Sequence, residues 1–82
     1  MKKVTKAQLR TASKNSTQII AEWMRDSRLN ANLSQEQLAN LADIDRKTIN
    51  RIENGHFSPS LDTMTRVAVV LGKKVPSIPQ SI

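Results

Sequence analysis

Eighty-two residues with no cysteine make one small domain that holds neither a disulfide framework nor a thiolate metal site. The longest apolar run, Val67 to Leu71, is far short of the roughly 20 residues of a membrane span, and no apolar run follows the N-terminal lysines as a secretory signal requires, so a cytoplasmic protein without membrane attachment is expected. A net charge of +6 and a pI of 10.4 point to polyanionic partners, chiefly nucleic acid.

The charge is uneven. Lys2, Lys3, Lys6, Arg10 and Lys14 stand in the first 15 residues without an acid, so the rest of the chain is nearly neutral. This basic, hydroxyl-rich stretch, with apolar residues scattered singly, reads as a flexible arm over 1–15 with at most a turn of helix near Ala7–Ala12. The folded domain then covers 16–72. Ser16 or Thr17 caps a first helix whose stripe is Ile20, Met24 and Ser27, widened by Ile19 and Trp23. It ends at Asn30 or Ala31, with Asn32 as a left-handed stop. Ser34 and Gln37 have the spacing of a capping box, and Leu33 and Leu38 that of a hydrophobic staple. The second helix stops near Ala42, with Leu38, Leu41 and Ala42 facing inward and Ala39 admitting a close neighbour.

Asp43, Ile44 and Asp45 form a tight turn, and Asp45 caps a third helix from Arg46 to Glu53 or Asn54, closed by Gly55. A loop follows. Ser60 caps a fourth helix with Leu61, Met64, Val67, Ala68 and Leu71 on one face, and Gly72 stops it. Residues 73–82 contain two prolines and read as a tail, a dimerisation segment or a short edge strand at Val75–Ile78. The fold class is all-α.

The third helix carries the functional signal. At about 100° per residue, Ile49 and Ile52 make an inward side together with Ile44 of the turn. Arg46, Lys47, Asn50, Arg51 and Asn54 share the opposite arc, which holds no acid and no apolar residue; Glu53 lies at its edge. Arginine and asparagine are the side chains that pair bidentately with guanine and adenine in the major groove. A short helix, a tight turn and a second helix with an outward polar face are the parts of a helix-turn-helix, over about 35–54.

The run from Leu33 to Gly72, with "LSQEQLA", Ile44, "TINRIENG" and "SPSLDT", resembles the Cro and lambda-repressor type, or XRE-type, helix-turn-helix family. The resemblance implies a compact four- to five-helix lambda-repressor-like domain. It puts base contacts on Gln35, Arg46, Lys47, Asn50 and Arg51, and phosphate contacts on backbone and side-chain groups around Ser34, Thr48, Asn54 and His56. It also implies a buried ion pair between Arg28 and Glu53. The chain departs from the pattern at Asp43, where a turn glycine is usual, at Ser27, where an apolar residue is usual, and in lacking a fifth helix after Gly72.

Other residues carry less. His56 is the lone histidine and has no cysteine or second histidine to share a metal, and Asp43 and Asp45 are turn and cap residues. No catalytic residues, metal or cofactor are expected. Trp23 belongs to the core. Val69 points away from the inward face of the fourth helix and, with Val70, Val75 and Ile78, marks a dimer or partner surface. The expected function is a transcriptional regulator, a repressor that binds an inverted repeat of double-stranded DNA as a homodimer. The alternatives are an antitoxin that also neutralises a toxin protein and a restriction-modification controller.

Overall fold

The computed structural model describes residues 3–56 and 58–76, and within them the chain forms four α-helices. These are α1 (Lys6–Asn30), α2 (Gln35–Ala42), α3 (Arg46–Glu53) and α4 (Leu61–Leu71). Helix α1 packs on α3 and α4, and α2 packs on the same two from the other side. Ile20 and Met24 of α1, Leu38, Ala39 and Ala42 of α2, Ile49 and Ile52 of α3, and Met64 and Val67 of α4 meet in one core. Trp23, Leu33, Ile44, Val70 and Leu71 close its edges, half-buried. No helix among the described residues is long and apolar enough to cross a membrane.

Each junction is set by local chemistry. The Ser34 hydroxyl accepts from the Gln37 N–H at 3.0 Å while the Gln37 side chain accepts from the Ser34 N–H at 2.8 Å. Asn32 is left-handed (φ 58°), and the N–H groups of Asn32 and Leu33 return to the carbonyls of Leu29 and Arg28. Gly55 (φ 71°) ends α3 in the same way: its N–H and that of His56 reach Ile52 and Arg51. Asp43 takes a left-handed conformation (φ 55°) that costs a non-glycine residue about 1 kcal/mol. Arg66 of α4 braces that turn by donating to the Asp43 carbonyl at 3.2 Å, and it also pairs with Asp62 at 3.0 Å.

Several expectations need correction. Among the described residues, the stretch expected as an arm is helical from Lys6 onward. Helix α1 starts at Lys6, capped by Thr5, whose hydroxyl accepts from the Gln8 N–H while the Gln8 side chain accepts from the Thr5 N–H. Ser16 and Thr17 lie inside the helix; Thr11 and Thr17 satisfy their hydroxyls on the carbonyls of Ala7 and Ser13. No glycine or proline interrupts residues 3–31, so a capped start propagates through to Asn30. Asp45 has the backbone of a cap, but its side chain makes no capping bond. Leu41 is 62% exposed, because α2 turns the Leu38–Ala39–Ala42 sector inward and leaves Leu41 about 100° from its centre. Leu61, in the first turn of α4, is 72% exposed. Val75 and Pro76 are irregular, there is no strand among the described residues, and Ile78 lies outside them.

Candidate nucleic-acid interface

Helix α3 is held by its apolar side. Ile49 and Ile52 are fully buried, and Ile44 packs below them from the turn. The opposite side therefore has to face out, and Arg46, Lys47, Asn50, Arg51 and Asn54 are all exposed there. The three-residue turn fixes α3 against α2, because the Ile44 N–H returns to the Ala39 carbonyl at 2.9 Å. The expected base-contacting residues of α3 thus share one solvent face on a rigid support.

The expected ion pair is present. Arg28 Nε donates to Glu53 Oε2 at 2.7 Å and Arg28 Nη2 donates to Glu53 Oε1 at 2.9 Å, a two-pronged contact between side chains 11% and 4% exposed. Arg28 Nη1 also donates to the Leu33 carbonyl at 2.8 Å. Hydrogen bonding to Glu53 raises the Arg28 pKa above its ordinary value, and the charge of Glu53 adds to this against the opposing effect of burial. An arginine raised in this way contributes its stability at every pH below its ordinary, strongly alkaline value, so this pair lends no arginine-linked pH dependence near neutrality.

The pair continues into the outward face, a connection the sequence does not reveal. Gln35 Nε2 donates to Glu53 Oε1 at 3.2 Å, and Gln35 Oε1 accepts from Asn50 Nδ2 at 3.3 Å. Asn54 Nδ2 donates to the Asn50 carbonyl at 2.8 Å and to Asn50 Oδ1 at 3.2 Å. A single chain of bonds therefore runs from the half-buried guanidinium of Arg28 through Glu53 and Gln35 to Asn50 and Asn54. It brings Gln35 of α2 beside Asn50 of α3 and engages both the nitrogen and the oxygen of each of these two amides.

The residues expected at phosphates lie around this face. Ser34, Asn54 and His56 are exposed and Thr48 is half-buried. Their backbone N–H groups are engaged in caps and helix bonds, to Gln37 Oε1, Asn50 O, Arg51 O and Asp45 O respectively. Side chains are thus what these positions have to offer an incoming phosphate. Val69 is 75% exposed beside an open groove lined by Leu41, Ala42, Thr65, Arg66 and Val70. The sequence reading missed Leu41 there, since its period placed it inside.

A family model described as helix-turn-helix matches residues 24–78. The chain is 39% identical over 51 residues to an uncharacterized HTH-type transcriptional regulator of Methanothermobacter thermautotrophicus, an alignment covering 62% of this chain and 74% of that protein. It is 36% identical over 53 residues to another protein of that description from Haemophilus influenzae, over 65% of this chain and 54% of the relative. No solved structure matches it significantly.

Proposed function

The chain belongs to the helix-turn-helix family of XRE-type DNA-binding transcriptional regulators, and from that premise we propose that it is a repressor reading an inverted-repeat operator as a homodimer. The observation that carries the reading is the acid-free outward face of α3, with Arg46, Lys47, Asn50 and Arg51 on a helix whose other side is locked into the core. Arg46 and Arg51 have the fork geometry for guanine O6 and N7, Asn50 suits adenine N6 and N7, and Lys47 suits a base edge or phosphate. Gln35, tied to Asn50, borders the same face. Ser34, Thr48, Asn54 and His56 supply side chains for the flanking phosphates. The reading requires no catalytic group, metal or cofactor.

One such helix spans only a few base pairs, too few to mark a site in a genome, so two half-sites about 34 Å apart are needed. The groove between α2 and α4, with Leu41 and Val69 exposed, is the apolar surface available for the second copy. Val70 borders the groove from its half-buried place at the core, and Val75, exposed on the irregular segment after α4, is not among the residues that line it. The same groove favours a second reading, an antitoxin whose toxin takes the place of a second copy; co-purification with the product of an adjacent reading frame distinguishes the two. The test of the main reading is footprinting on DNA upstream of the chain's own gene. A symmetric protected site that shrinks to background with Asn50→Ala and Arg51→Ala supports it, and uniform, sequence-independent protection refutes it.

A further inference from the structure

The first three turns of α1 belong to none of the machinery described so far. Lys6 to Asn15 are helical yet almost wholly exposed, and no core residue comes from them. At about 100° per residue, Lys6, Arg10 and Lys14 fall within about 80° of arc. No ion pair is formed by these three among the described residues, and the first acid in the chain is Glu22.

The direction of this stripe follows from its continuation. Thr17, Met24 and Arg28 occupy the same sector of α1. Met24 enters the core, Arg28 reaches Glu53 at the end of α3, and the Thr17 hydroxyl lies 3.4 Å from Ser58 Oγ. The Thr17 methyl would lie 3.8 Å from a Cβ on Gly55. The sector thus faces α3 and the 54–60 loop where the helix is covered, and projects past that loop where it is not. Asn54 and His56, the side chains offered to phosphates at that end, stand on the same loop.

We infer that the N-terminal turns of α1 are a preformed cationic rod that grips the phosphate backbone of duplex DNA outside the half-site read by α3, an inference that rests on the DNA-binding reading. The stripe has one cation per turn, about 6 Å apart, and runs about 12 Å. Over about 12 Å of duplex axis each DNA strand presents about three to four phosphates. Because the capping box forms the helix before any DNA arrives, the side chains need no backbone ordering on contact.

The test uses the full chain and the best site it enriches from a random duplex library. That site is made in two lengths, cut flush at its edges or extended by ten base pairs on each side, and affinity is measured over a salt series. The wild type is expected to show a steeper salt slope on the long duplex, by roughly 2.7 per bound protomer at about 0.9 per cation. The variant Lys6→Gln/Arg10→Gln/Lys14→Gln, whose three sites touch no core residue, is expected to lose that difference while enriching the same sequence. Equal wild-type slopes on both lengths, or a variant that keeps the difference, overturns the rod alone. A wild type that enriches no sequence overturns the regulator reading and the rod with it.

Discussion

Replacing Glu53 by glutamine probes the bond chain at its centre. The substitution keeps shape and removes the charge. Arg28 then loses both charge-assisted bonds to a carboxylate, and the new amide N–H₂ confronts the guanidinium as donor against donor. Breaking a buried pair from one side costs about 3–5 kcal/mol. Here the low end applies, because glutamine keeps one acceptor oxygen and Arg28 keeps the Leu33 carbonyl. A loss of about 3 kcal/mol is large against the roughly 4–12 kcal/mol expected of a domain this size. It corresponds to a fall in Tm of roughly 12–24 °C. Urea melts followed by Trp23, the only tryptophan and half-buried against the core, measure the loss directly. A loss below about 1 kcal/mol would refute the claim that this pair is buried and mutually dependent. Arg28→Met/Glu53→Leu is the control: removing both charges should restore much of the stability.

The reading face, the turn and the groove give three further tests. Arg46→Ala or Arg51→Ala should each weaken operator binding by about 1–3 kcal/mol and relax base preference at one position, read by anisotropy on a set of single-base operator variants; unchanged preference in both counts against direct readout. Asp43→Gly should stabilise the fold by about 0.5–1 kcal/mol, since it relieves a left-handed backbone and gives up only an exposed 3.7 Å contact with Arg66. A lower Tm for that variant would show the Arg66–Asp43 side-chain contact and the extra chain entropy of glycine together to outweigh the strain. Val69→Asp should convert the proposed dimer to monomer in sedimentation velocity without changing Tm by more than a few degrees; a wild type that stays monomeric refutes the dimer, and a variant that still dimerises rules out the α2–α4 groove.

What was legible in the chain was what its own neighbours decide. Ser34 with Gln37, Asn32, Gly55 and Gly72 act within a turn of themselves, and their positions follow from spacing alone. The ion pair of Arg28 with Glu53 came from family resemblance and holds at 2.7 Å. Thr5 and Gln8 carry the same capping signal as Ser34 and Gln37, yet the scattered apolar residues after them suggested an arm; a helix with no core to face leaves no period to read. Leu41 and Leu61 fit an inward stripe on the wheel, but Leu41 lies off the buried sector of α2 and Leu61 sits in the first turn of α4, and both stay exposed. The bonds from Glu53 through Gln35 to Asn50 span 18 and then 15 residues, and only the packed helices show which amide meets which.

The short connections between the helices, four residues from α1 to α2, three from α2 to α3 and seven from α3 to α4, bear on how fast the molecule comes together. Closing such loops costs little chain entropy, and each helix carries its own start and stop signals. Helical domains dominated by near-neighbour contacts fold in microseconds to milliseconds. A newly made chain is therefore competent within a small fraction of the seconds its synthesis takes, at about 5–20 residues per second. For a regulator, the interval between a change in its production and a change in operator occupancy is then governed by synthesis and removal of the protein, with folding adding nothing measurable to the delay.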